Sequence, residues 1–210
     1  SDTWGTALIG RHDTPYKMSV GSYDYFGDQI GDFNGTVGFQ DVRAQNAVAY
    51  VSPNWGGFNL AGAIVAPGTD DASEAYSIAG NFGIGGFKAS VAYEDLGDIA
   101  LGSSLAEKKW GIAGDYSMGA WGIMGRYDSL SDIGGGNTDA DLWQVGGKFG
   151  FGNNVVKAMW GQNDTDGASS RDTWSIGLDH NFTKRTQAYI QYADVEKSWD
   201  GWSIGMVHKF

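Results

Sequence analysis

The chain has 210 residues, of which 34 are glycine, 3 proline and none cysteine, so disulfides, thiol catalysis and Cys-based metal sites are excluded. A formal charge of −11 argues against binding a nucleic-acid backbone, and 14% aromatic with 41% hydrophobic residues is too much for a disordered chain. The longest apolar-plus-glycine stretch, around Leu60–Pro67, falls far short of the ~18–20 residues of a spanning helix. The mean hydropathy of −0.31 does not make the chain soluble, because a membrane β-barrel shows lipid only every second residue.

In chain order, period-two alternation begins weakly over Trp4–Arg11. A connection of 28 residues follows, from Thr14 to about Asp41. Loops beyond ~12–15 residues are uncommon and usually functional. The alternation resumes over Asn46–Ser52, and then Phe58, Leu60, Gly62 and Ile64 oppose Asn59, Ala61 and Ala63. After the weaker Tyr76–Phe82, Phe87, Ala89, Val91 and Tyr93 oppose Lys88, Ser90, Ala92 and Glu94. Trp110, Ile112, Gly114 and Tyr116 oppose Gly111, Ala113 and Asp115, and Trp121, Ile123, Gly125 and Tyr127 oppose Gly122, Met124, Arg126 and Asp128. Trp143, Val145, Gly147, Phe149 and Phe151 oppose Gln144, Gly146 and Lys148, and Val155–Gly161 follows. Trp174-Ser175-Ile176-Gly177-Leu178 and Trp202-Ser203-Ile204-Gly205-Met206 open two strands of matching pattern, with Gln187–Ala193 between them. Twelve strands are predicted, and glycine scattered every few residues, at ~1 kcal/mol each, disfavours helix.

The apolar faces begin or end in Trp, Tyr or Phe, which is the arrangement of an aromatic girdle around a lipid band. The opposite faces are small and charged. Short connections (Pro53–Gly57, Gly83–Gly86, Ser117–Ala120, Gly152–Asn153, Thr183–Arg185) alternate with long ones (Ala66–Ala75, Asp95–Lys108, Ser129–Asp141, Gln162–Asp172, Asp194–Asp200) that hold most of the acids. This is the pattern of an all-β outer-membrane barrel in a single domain spanning residues 1–210. Residues of about 14–41 are expected to fold into its lumen.

These residues resemble the general, trimeric, 16-stranded porins of Gram-negative outer membranes. The motifs are Gly10-Arg11-His12-Asp13-Thr14-Pro15-Tyr16-Lys17, Phe26-Gly27-Asp28-Gln29-Ile30-Gly31-Asp32-Phe33, Asn46 to Phe58, Trp143-Gln144-Val145-Gly146-Gly147-Lys148, and the final alternating strand with Phe210. The resemblance covers the whole chain. It aligns the chain with the portion from the family's fifth strand onward and leaves the first four strands without a counterpart. It therefore implies either about the C-terminal two-thirds of such a barrel or a smaller closed one, and favours the former.

The resemblance implies that the long connection is a pore-constricting loop carrying Asp24, Asp28 and Asp32, opposed by Arg11 and Arg43 on the wall, with Lys17 nearby. Parity alone leaves both arginines as wall groups or ordinary strand-end residues. Lys88, Glu94, Asp115, Arg126, Lys148, Lys157 and Asp179 fall on the polar parity and are expected to line the channel and face water. The function implied is passive diffusion of small hydrophilic solutes and ions, mildly cation-preferring. It involves an outer-membrane location, contact with lipid and lipopolysaccharide, a homotrimer, and neither cofactor nor metal.

No enzyme is expected. His12 and Asp13 point to opposite faces of a strand and cannot act as a dyad, and His180 and His208 sit on the apolar parity near strand ends as interfacial anchors. Asp139-Ala140-Asp141 and Asp164-Thr165-Asp166 lack a calcium-loop signature, and Gly134-Gly135-Gly136 lacks the strand-to-helix setting of a phosphate cradle. The alternatives are a closed 12-stranded outer-membrane barrel acting as enzyme or adhesin, and a soluble carbohydrate-binding β-protein.

Overall fold

The computed structural model describes residues 3–66 and 75–210. Twelve strands form one antiparallel sheet in chain order, the number expected from the alternation. They are β1 (Thr6–Asp13), β2 (Arg43–Val51), β3 (Phe58–Val65), β4 (Ala75–Ile84), β5 (Phe87–Asp95), β6 (Ala106–Met118), β7 (Trp121–Ile133), β8 (Ala140–Phe151), β9 (Asn154–Thr165), β10 (Arg171–Asn181), β11 (Thr186–Val195) and β12 (Trp199–His208). The sheet starts at β1 and ends at β12, and all its pairs are nearest neighbours in sequence. The register of β1 shifts between Gly10 and His12, which places Arg11 in the irregularity.

The two faces divide as the parity requires. Ile123, Val145, Ile176, Leu178, Ile204 and Met206 are exposed, whereas Ser175, Gln144 and Gln191 on the other parity are buried. Exposed large apolar side chains on every strand from β2 to β12 form a surface far beyond the few hundred Å² that a soluble monomer carries. Aromatic rings bracket this surface. On the long-connection rim Tyr76 meets Tyr93, Trp110 meets Tyr127, Trp143 meets Trp160, and Tyr192 lies between Trp174 and Trp202. On the short-turn rim Phe82 meets Phe87, and Trp121 meets Phe149.

The strands are longer than the apolar alternation suggested, and the long connections correspondingly shorter. β7 continues to Ile133 and β9 to Thr165, and β12 begins at Trp199. Backbone pairing persists beyond the lipid band, where side chains such as Asp141 and Asp164 replace apolar residues while still sitting opposite each other in register. The expected loop at Ala66–Ala75 lies largely outside the described residues, as do Asp70, Asp71 and Glu74.

Residues 14–42 are not a plain loop. Helix α1 (Pro15–Ser19) is capped by the Thr14 side chain, which accepts from the Lys17 N–H, with Pro15 at its first position, where the missing N–H has no cost. A 3-10 turn at Val20–Ser22 follows. Helix α2 (Phe33–Thr36) is capped by Asp32, which accepts from the Asn34 N–H at 2.8 Å.

This segment lies on the polar face of the sheet and supplies the buried aromatic side chains of the hydrophobic core. Phe26, Phe33, Val37 and Phe39 pack with Met124, Leu130, Leu142 and Met159. Tyr16, Val20 and Tyr23 pack on Ala79, Ala92 and Ala113. Burying each such side chain contributes roughly 1.5–3 kcal/mol, so the segment is held as a folded layer. Its apolar side chains are concentrated on the side that meets the sheet.

Candidate functional site: the inner segment and the charged face

Three polar anchors hold the segment along the sheet. At the long-connection end, Lys109 Nζ lies 2.9 Å from Glu94 and donates to the Gln40 carbonyl, above the Tyr16 ring. In the middle, Arg126 donates through Nε and Nη2 to Asp128 (2.9 and 2.7 Å) and through Nη2 to Asp41 (3.1 Å), with its guanidinium over Phe39. Nearer the short turns, Lys157 pairs with Asp179 at 3.0 Å, donates to Gln29 at 3.1 Å and sits over Phe26. Tyr25 Oη donates to Asp115 at 2.6 Å. The close approach requires glycine at two wall positions. A Cβ on Gly111 would fall 2.5 Å from Tyr16 Oη and 2.7 Å from Asp128, and one on Gly177 would fall 3.0 Å from Phe26.

These distances correct part of the sequence reading. Glu94, Arg126, Lys157 and Asp179 occupy the expected face but do not face open water. They are buried beneath the segment, because its aromatic side chains displace solvent and its carbonyls and Asp41 complete their pairing. Lys88 is exposed, and Asp115 and Lys148 are partly so. Asp115 accepts from Tyr25 and Ser117, and Lys148 stands over the Tyr25 ring.

Lys17, Asp24, Asp28 and Asp32 come together with Asp41 and Arg126 around one cleft. Asp24 accepts from the Phe26 and Phe33 N–H groups. Burial, opposed by the Phe26 hydrogen bond and reinforced by Asp32, raises its pKa to about 7. Asp28 adopts a left-handed backbone (φ 60°) and donates its N–H to Asp32 at 2.8 Å. The two arginines expected opposite these acids are elsewhere. Arg11 is exposed at the bulge of β1, and Arg43 is exposed at the start of β2, 3.8 Å from Asp13. Lys17 also lies 3.4 Å from Asp13.

Lys109, Asp41 and Asp128 were not singled out from sequence. Extending the β6 alternation one step past Trp110 puts Lys109 on the inner face, and the β7 alternation already carried Asp128. Nothing local marks Asp41 as the partner of a residue 85 positions on. Among the described residues no group of His, Asp and Glu is arranged to hold a metal ion.

A sheet with a girdled apolar outer face, covered on its polar face by an internal segment, is the fold of an outer-membrane β-barrel channel protein. The chain belongs to the Gram-negative porin family, whose profile matches residues 1–200, and its place is the outer membrane. No curated protein matches it in sequence. Among solved structures it resembles a loop-deletion mutant of OmpT, an outer-membrane protein of Vibrio cholerae, with 16% identity, a TM-score of 0.72, and 98% of this chain and 76% of that one covered. A mutant of Rh. blastica porin gives 18% identity and a TM-score of 0.72, covering 97% of this chain and 73% of that one. The anion-selective porin of Comamonas acidovorans gives 18% and 0.67, covering 99% and 71%.

Proposed function

We propose that the protein is a passive, non-enzymatic diffusion channel for small hydrophilic solutes and ions, narrowed by residues 14–42. The observation that carries this reading is the inner segment itself, anchored against the polar face of a sheet whose other face is apolar. An inward layer fixed by buried ion pairs leaves a passage of defined width, and the groups bordering it meet solute.

Asp24, Asp28 and Asp32 form the acidic side of that constriction. The cations that border the cleft are already paired, half-buried Lys17 with Asp13 and Arg126 with Asp41 and Asp128. Fixed negative charge between low-dielectric walls concentrates cations, so a mild cation preference follows. Arg11 and Arg43 stand outside this cleft, at the long-connection ends of the edge strand and its neighbour, and act there on solutes approaching the mouth. OmpT, an outer-membrane protein of Vibrio cholerae with a similar fold, has been solved in a trimer form, and a homotrimer surrounded by lipid and lipopolysaccharide is the assembly proposed here.

Planar-bilayer recording tests the function. Discrete conductance steps after insertion from detergent are expected. A purified, folded protein that gives none at any voltage refutes the channel.

A further inference from the structure

The charges of the inner face are sorted along the strands. Of the 25 acidic residues, only Asp115 and Asp179 lie, among the described residues, within a few positions of the short turns. Six of the 14 basic residues lie there: Lys88, Lys148, Lys157, Lys184, Arg185 and Lys209. Asp179 is paired with Lys157, whereas Asp115, opposite Lys88 in register, accepts from the Tyr25 and Ser117 hydroxyls and keeps its charge. Lys88, Lys148 and Lys209 form no ion pair among the described residues.

These three lysines converge on the space under the inner segment. Lys88 and Lys148 border one cleft with Tyr25, Asp24 and Asp115. Lys148 and Lys209 border a larger one of ≈ 780 Å³, which runs from the tip of the segment to the short-turn rim. Lys209 is tied to the neighbouring basic turn by its N–H, which donates to the Arg185 carbonyl at 2.8 Å. Asp24 and Asp28 form the ceiling of the larger cleft, and the Asp24 carboxylate is occupied by two backbone N–H groups.

We infer that this vestibule is a docking site for multivalent anions, carboxylate- or phosphate-bearing solutes that enter from the short-turn side. The site rests on the channel reading above. A monovalent cation passes the acids at the constriction, whereas a multivalent anion is attracted by three lysines that outnumber the one neighbouring carboxylate, Asp115, and is stopped beneath those acids. It therefore occupies the passage and interrupts the cation current from one side only. The attraction acts through water and is screened by salt.

Single-channel recording in 0.1 M KCl tests this, with inorganic tripolyphosphate as the probe. Orientation is set by a Ser169→Cys variant, labelled from one side by an impermeant thiol reagent in a chain that has no other cysteine. Tripolyphosphate on the short-turn side is expected to produce brief closures. The same concentration on the other side is expected to leave the current open. The variant Lys88→Gln, Lys148→Gln, Lys209→Gln is expected to raise the half-blocking concentration about tenfold or more, and 1 M KCl to weaken the block in the parent. Equal block from both sides, no block, or an unchanged triple variant overturns the site.

A protein that forms no channel overturns the functional reading instead. The site is then judged by calorimetry in detergent, where tripolyphosphate binding lost in the triple variant supports it and absent binding refutes it. Heat-dependent gel mobility establishes that the variant is folded.

Discussion

Glu94 and Lys109 are register partners on adjacent strands, with Nζ 2.9 Å from Oε2 and both side chains fully withdrawn from solvent. The pair is closed from above by the Gln40 carbonyl and the Tyr16 ring, both from the inner segment. An ion pair in a water-filled lumen would contribute little. Beneath a packed layer, the loss of one partner strands the other charge.

The first prediction follows from that burial. Lys109→Met and Glu94→Gln are each expected to destabilise the folded protein, by about 3–5 kcal/mol for Lys109→Met, which leaves the Glu94 carboxylate uncompensated. The double variant is expected to recover much of the loss. The midpoint of thermal unfolding in detergent, followed by gel mobility, measures both, and strictly additive effects would show that the pair is not coupled.

Asp24 gives a pH dependence. Its pKa in the folded protein is about 7, raised mainly by burial, above the ordinary carboxylate value. The native state therefore holds a proton that the unfolded chain releases between about pH 4 and 7. Stability falls as pH rises through that window and levels off above it. Over the upper part of the same window Asp24 becomes charged, and the cation preference grows. Reversal potentials under a KCl gradient from pH 5 to 9 are expected to show an inflection near 7 in the parent and none in Asp24→Asn.

The acidic set as a whole is tested by Asp24→Asn, Asp28→Asn and Asp32→Asn together. Asparagine keeps one acceptor oxygen at each position, enough for the Asn34 N–H at the start of α2, and is itself a good cap. It gives up the second acceptor that Asp24 offers Phe33 and Asp32 offers Asp28, so heat-dependent gel mobility first establishes that the variant is folded. Cation preference is expected to weaken, most clearly at low salt, where the screening length is about 10 Å or more. A parent channel of anion-selective sign, or a triple variant with the parent's selectivity, would place the filter on other residues.

The two faces of one strand pair are distinguished by Ile176→Arg and Gln187→Arg. Ile176 is exposed on the apolar face between Ala158 and Tyr192. A cation there is expected to cost ~2–4 kcal/mol at mid-bilayer. Gln187 borders the vestibule on the inner face, and the same change is expected to be tolerated in folding assays. Gly177 is no substitute for it, because Phe26 and Lys157 fill its space.

The number of strands, the two faces and the aromatic bracketing were all legible from the residues, because period two is a local property and a one-residue slip would turn Ile176 and Leu178 inward. The strand ends were less so. The apolar signal stops at the edge of the lipid, while backbone pairing continues to Ile133 and Thr165. What only the tertiary structure decided was which charges meet water. Arg126, Glu94 and Lys157 carry the same parity as Lys88 and Lys148, and nothing in their own strands separates buried from open. The distinction comes from Phe26, Phe39, Gln40 and Asp41, remote in sequence, which exclude solvent from the first three and leave the others facing the vestibule.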